Sequence, residues 1–514
     1  MSDETTPPSA ENPGIAPPTG APAQEQPQEA SPFDISGRQD FGWILASLAI
    51  VVILGAGALV FTGKLGSFGK LPESAIARVG KKDVPFEAFT HWTASLPPSV
   101  QAQLGKPEAR HKLLDHYLDR IAMLAYAEEK GLLETETFKK EQALQEEFLI
   151  TRAFIDDALK STMVPELLRS YYIENKKRYP LPFEDKSQQP RLIDDYNRHI
   201  VSTMADKPLE QGELQRAKDP DAEIQAQLVS DGKEILRITR EELELEVASY
   251  SEAGQIRAAI PDVYQSYLQE LLRRKTIALM ARSRNYADRE DVKRALQEYT
   301  PHLVGRVLAQ DSLGDMSAAI QKELQEHPER YERKWMKGAH ILVKVPPSAS
   351  DEEVAKAQER IEAIYKEATA PGADFAKIAK KKSEDEGSAP SGGGLGEFAE
   401  GTIPKPLAQA AFALQEGEVS QPVRSLFGFH VIKALSAPKG EMRQPAARIM
   451  ARRYLLEEAT KKRAAEIKQQ MGIRVNEERL ASWQPPQPGE EPGGPFALPP
   501  ETPQDAGAPA ETGQ

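Results

Sequence analysis

Two histidines stand in stretches whose side-chain pattern is that of a β-strand. His340 lies in GAHILVKV (338–345) and His430 in FGFHVIKAL (427–435). Both runs have the length and apolar content of buried strands. Between them comes SGGGLGEF (391–398), a glycine cluster that leads into another apolar piece. Two strand-borne imidazoles brought together across a glycine-rich loop build a pocket. An imidazole can move protons, ligate a metal or set the polarity of a cavity by hydrogen bonding. Taken singly, each is equally well read as a satisfied core histidine. The chain has no cysteine, which removes a thiolate nucleophile, a thiolate metal site and a disulfide framework. The spacing of His340 and His430, even with Asp385 added, does not ask for a metal, and no cofactor is expected.

The elements that must position this pair fill residues 335–440. A strand at 340–345 is followed by a capping box, Ser350 with Glu353 three residues on. The helix it starts turns Val354, Ala357, Ile361, Ile364 and Tyr365 inward. A second short helix carries Phe375, Ile378 and Ala379. Then come a loop at 383–394, a strand at 395–398, a short helix around 407–412, an extended stretch at 419–426 and a strand at 430–435. This predicts an α+β unit with a small antiparallel sheet.

The rest of the chain predicts a multidomain protein. At 514 residues it holds several domains, and its net charge of −13 argues against nucleic acid as a partner. Residues 1–40 and 485–514 are rich in proline and poor in bulky apolar side chains, the composition of disordered tails. Residues 41–62 begin with 21 uncharged, apolar positions, long enough for a single transmembrane helix. Residues 72–180 form a mostly α-helical module, 181–232 an irregular connector, and 233–334 a second helical module. The second reads as a degenerate repeat of the first: 234–247 is like 75–89, 261–286 like 111–130, and 321–334 like 169–180. The apolar stripes of this region either pack on each other or stay open to extended polypeptide. Residues 441–476 form a C-terminal helix, with Pro445 at its first turn and Gly472 at its end, then a short strand, packing back on the first module.

The blocks GAHILVKV, SEDEGSAPSGGGLGEF, GTIPKPLAQAAFALQEGEVSQPV and FGFHVIKAL resemble, in order and at family spacing, the parvulin family of peptidyl-prolyl cis-trans isomerases. The resemblance implies that His340 and His430 lie side by side in the sheet floor. It places Asp385 facing the substrate carbonyl and Leu395, Phe398, Ile403, Leu407 and Phe427 in the proline pocket or on its rim. Ile403 stands where the family often has Met, Leu407 where it often has Phe, and Gly394 where an acidic residue is common. These departures predict a looser grip on the proline ring. They keep open a rival in which the domain is a peptide-binding module of a non-enzymatic holdase or assembly scaffold. The phosphate-reading basic loop of phospho-specific parvulins has no counterpart.

The wider plan is similar to membrane-anchored foldases of the PpiD and SurA type. It implies a SurA-like chaperone region, an anchor in the bacterial inner membrane, a cytoplasmic N-terminal tail and a periplasmic bulk. The clients would be unfolded or newly exported polypeptides with X-Pro bonds, and the export machinery a further partner. Lys64 and Lys70 follow the apolar stretch while Arg38 alone precedes it. The positive-inside rule by itself therefore points the other way; the resemblance is followed here.

Overall fold

The computed structural model describes residues 71–484, apart from Ser95, Pro97, Pro180 and Pro347. The two proline-rich tails and the apolar stretch at 41–62 lie outside the described residues. Among those that are described, no helix is long and apolar enough to cross a membrane.

The described part opens with a hairpin, β1 (Ala75–Val79) and β2 (Lys82–Pro85). Helices α1 (Phe86–Ala94), α2 (Pro98–Gln101), α3 (Pro107–Lys130), α4 (Glu136–Thr162) and α5 (Pro165–Glu174) follow. Then come α6 (Gln189–Glu210) and β3 (Glu213–Arg216). A second hairpin, β4 (Ile224–Ser230) and β5 (Lys233–Thr239), begins the next half. It continues into α7 (Arg240–Ala248), α8 (Glu252–Arg257), α9 (Pro261–Ser283), α10 (Glu290–Leu313) and α11 (Met316–Glu326).

The two halves repeat one plan. The starts Phe86 and Arg240, Pro107 and Pro261, and Glu136 and Glu290 are each 154 residues apart. Proline opens both long helices at a position where a missing N–H costs nothing. The first is capped by left-handed Gly131 (φ 66°), and the second is followed, one residue after its cap Arg284, by left-handed Asn285 (φ 58°). The side-chain amide of Gln101 donates to the carbonyls of Ala94 and Leu96 at 3.0 and 2.6 Å. Gln255 does the same to Ala248 and Tyr250 at 3.0 and 2.7 Å.

The halves interlock. Leu303, Val304 and Val307 of α10 enter the core of the first half, beside Phe89, Leu114 and Leu118. In return, Leu149, Ile150 and Phe154 of α4 pack on Ile277 and Ala281 of α9. The third strand of each small sheet is also exchanged. β3, the end of the first half, pairs antiparallel with β4 of the second. β11 (Ile473–Val475), near the end of the described chain, pairs with β1. It follows α15 (Ala446–Met471), as β3 follows α6, and precedes α16 (Glu477–Ser482).

The stretch expected to be an irregular connector, 181–232, instead holds α6, β3 and β4. The apolar side of α6 (Leu192, Tyr196, Ala205, Leu209) is diluted by charged residues and interrupted by Pro208, so its period is hard to read. The boundary placed at 232/233 falls inside a hairpin turn. Asp231 and Gly232 both have positive φ, 53° and 71°, as a two-residue Asp-Gly turn requires.

One consequence is an acid-sensitive contact between the halves. His302 of α10 is pushed down to about 3 by burial, with Arg120, His116 and Arg306 adding to the effect. The unfolded chain therefore takes up a proton near 6.5 while the folded chain does not. The associated stability is whole above that pH and falls as pH drops from 6.5 toward 3. Urea unfolding at pH 7 and pH 5 is expected to show a loss that His302→Leu reduces. An unchanged pH difference in the variant would remove His302 as the cause.

Candidate active site

The α+β stretch between α11 and α15 carries both histidines. β6 (Arg333–Lys344) runs through its sheet. α12 (Asp351–Ala368), with the Ser350/Glu353 capping box formed, and α13 (Phe375–Lys382) cover one face. β7 (Gly394–Ala399), α14 (Lys405–Ala411), β8 (Val423–Ser425), β9 (Gly428–Ala434) and β10 (Lys439–Glu441) complete it. The strand order is β10-β6-β9-β8, with β7 on the other edge of β6.

Register decides which side chains meet. His340 pairs with Ile432, and Leu342 with His430. The two histidines are thus offset by two residues across the ladder and share a face. Ile341, Val343, Phe429 and Val431 face the other way, into the core under α12 and α13. His340 is 8% exposed and His430 2%. Their rings stack, with centroids 5.4 Å apart and planes at 27°, and their Nδ1 atoms are 3.2 Å apart.

The loop at 383–394 is laced to the free edge of β6 on both sides of His340. Glu384 N–H donates to the Leu342 carbonyl and His340 N–H to the Gly393 carbonyl, both at 2.8 Å. This brings Asp385 Oδ2 to 2.8 Å and Ser388 Oγ to 3.1 Å from His340 Nε2. Ser388 also donates to the Asp385 carboxylate. At the far end, Ser425 Oγ lies 2.7 Å from His430 Nε2.

One proton arrangement satisfies every link. Ser425 O–H donates to His430 Nε2, His430 Nδ1–H to His340 Nδ1, and His340 Nε2–H to the Asp385 carboxylate. The His340 ring, joined by Ser388, holds the carboxyl of Asp385 well below the usual carboxylate range. Burial, reinforced by His340, pushes His430 down to about 4. In this arrangement the line ends on the Asp385 carboxylate. Ser388 and Ser425 were not found by sequence reasoning, because a serine carries no period or motif of its own.

Beside this polar line lies an apolar cluster. Leu395, Phe398, Ile403 and Leu407 share one cluster with Met336, Ile432 and Ala434. Phe398 meets Phe412 edge-on at 5.7 Å. Phe427 is not brought into that cluster; it is 60% exposed, beside Leu426 at 78%. Both sit in the turn that joins β8 to β9. Among the described residues, no group of three or more His, Asp or Glu side chains could hold a metal ion. The arrangement suits a ligand with a compact apolar ring next to a dipolar group.

Residues 340–436 match the family model described as Rotamase: PPIC-type PPIASE domain. The foldase protein PrsA of Staphylococcus aureus (strain MRSA252) is 31% identical over 199 residues, covering 37% of this chain and 59% of the foldase. The chain thus spans less than two thirds of that relative's length. Among solved structures, the parvulin NmPin of Nitrosopumilus maritimus is 39% identical over 20% of this chain and 97% of its own, with a TM-score of 0.15. The peptidylprolyl isomerase PrsA of Bacillus anthracis is 22% identical over 46% of this chain and 96% of its own, with a TM-score of 0.22.

Proposed function

From the premise that residues 340–436 are a PPIC-type parvulin domain, we propose that the chain is a peptidyl-prolyl cis-trans isomerase and chaperone. In this reading it is tethered to the bacterial inner membrane by residues 41–62, with its bulk in the periplasm. Its clients are unfolded or newly exported polypeptides, delivered next to the export machinery.

An X-Pro bond exchanges slowly because rotation breaks amide resonance, a barrier of about 18–20 kcal/mol. The planar amide is polar, with negative charge on its oxygen; the twisted amide has lost that separation. A site that grips the proline ring in an apolar cup and holds a carboxylate near the carbonyl disfavours the planar form relative to the twisted one. That is differential binding of a transition state by fixed charge and shape. No covalent step is needed. The observation that carries this reading is the Asp385–His340–His430–Ser425 line lying against the apolar cluster of Leu395, Phe398, Ile403 and Leu407.

Client holding is supported by exposed apolar side chains on and after α5. Leu167, Ile173 and Leu181 are 46%, 63% and 42% exposed. Counted back from Tyr179 and Tyr331, Leu167 and Ile173 stand where the second half has Ala319 and Gln325. The first half therefore keeps large apolar side chains where its twin has a small one and a polar one. The tether is supported by the uncharged run at 41–61. Protease protection of the region after Lys64 in intact cells tests the periplasmic placement.

The chemistry is tested by Asp385→Ala. Isomerisation of a proline peptide by the full chain is expected to fall roughly 10- to 100-fold in kcat, with KM little changed because the cup is untouched. An unaltered kcat would take Asp385 out of the mechanism. Client holding without any acceleration would leave the holdase reading.

A further inference from the structure

The wall of the cup is held from outside the parvulin domain. β7 carries Leu395 and Phe398, and the turn after it leads through Thr402 to Ile403. Against that turn lies α8 of the second helical half. Ile256 is 1% exposed and packs with Trp335 and Ala399. A side-chain carbon at Gly401 would stand 3.2 Å from Ile256 Cδ1. The Arg257 guanidinium donates to the Thr402 carbonyl at 2.9 Å, one residue before Ile403. From the other side, Arg443 makes two bonds to Glu397 of β7, at 2.7 and 3.2 Å, and lies 4.3 Å over the Trp335 ring.

The internal repeat shows that this contact is not a general property of the helical unit. The corresponding loop of the first half is held by Gln101 as this one is by Gln255. At the positions of Ile256 and Arg257 it has Ala102 and Gln103, both exposed. Only the half that adjoins an isomerase domain carries the apolar plug and the guanidinium. We infer that Ile256 and Arg257 are positioning residues for the isomerase site, fixing the Thr402–Ile403 turn and with it the wall that grips the proline ring. This rests on the isomerase reading above. In consequence, the helical body sets how tightly the cup binds X-Pro.

The test uses the full chain with the double substitution Ile256→Ala and Arg257→Gln, the pair that the first half already accommodates in the same loop. Cis-trans exchange of a proline tetrapeptide is measured as kcat and KM, alongside thermal unfolding. A loosened wall is expected to raise KM roughly tenfold, with kcat per folded molecule held within about twofold, and loss of the buried Ile256 side chain is expected to lower Tm as well. Arg257→Lys, which keeps a cationic donor for the Thr402 carbonyl, is expected to retain a KM near that of the wild type. Arg257→Gln alone leaves Ile256 packed and is expected to move KM in the same direction, so the test stands even where the double variant unfolds early. A KM equal to wild type in both substituted chains overturns the inference. So does a fall in kcat that tracks a smaller folded fraction at constant KM, which is the signature of a stability role alone. A wild-type chain that does not accelerate exchange at all overturns the isomerase reading, and the inference with it; the two failures are told apart by the wild-type rate.

Discussion

Replacing Trp483 by alanine is expected to destabilise the first helical half by about 3–5 kcal/mol, the range for deleting a buried aromatic side chain. Trp483 is 2% exposed. Its ring lies 5.2 Å from Phe89 and under the Arg110 guanidinium, which also donates to the Trp483 carbonyl at 2.9 Å. It shares a core with Ile76, Leu118, Ile467 and Leu480, drawn from both ends of the described chain. Its indole N–H is buried with no hydrogen-bond partner among the described residues. The loss is thus one of packing, and a cavity is left because β11 and α15 hold the surrounding elements apart. Urea unfolding followed by proteolysis should show the region of β1 to α5 opening first, while the parvulin domain stays protected. An unchanged midpoint would mean that the C-terminal piece does not close the first half.

Gly393→Ala is expected to abolish the site while leaving the helical halves folded. Gly393 has φ +79°, and a side-chain carbon there would overlap the His340 carbonyl oxygen and stand 3.1 Å from Ala379 Cβ. The residue also accepts from His340 N–H and donates to the Ser388 carbonyl, both at 2.8 Å. Left-handed strain and a backbone clash together cost on the order of 3 kcal/mol or more. The clash pushes the loop off β6 at the point where it presents Asp385 and Ser388 to His340. Gly396→Ala is the control. Its φ is +67° but nothing lies within 4 Å of the added carbon, so only the left-handed term of about 1–2 kcal/mol remains. Unfolding and isomerisation measured on both variants should separate them. Equal behaviour would show that the glycine loop is not clamped to His340.

What could be read in advance, and what could not, follows from how far apart the causes lie in the chain. His340 and His430 each sit in an apolar run, so their strands were legible, and the antiparallel register then places them on one face. The Ser350/Glu353 box and the Gly472 stop are local signals, and both elements form where those signals stand. Leu395, Phe398, Ile403 and Leu407 meet in one cluster, but that grouping was carried by family resemblance and not by period. Phe427 lies in the turn between β8 and β9, outside that cluster and 60% exposed; of the two places the resemblance allows, pocket or rim, the structure does not put it among the clustered residues. Ser388 and Ser425 depend on a loop laced to a strand edge, which no spacing rule foretells. α6 was missed because its buried face is short of large apolar residues. β11 pairs with β1 from the far end of the described chain, β3 pairs with the nearby β4, and a strand of three or four residues leaves almost no trace in sequence.

The most direct measurement is NMR exchange spectroscopy on a proline peptide with the full chain at substoichiometric concentration. Uncatalysed exchange takes tens of seconds or longer. The account predicts cis and trans resonances linked by exchange within about a second in the presence of the wild-type chain, and that linkage lost with Asp385→Ala. Exchange at the uncatalysed rate with a folded wild-type chain, at any concentration that still binds the peptide, would contradict it.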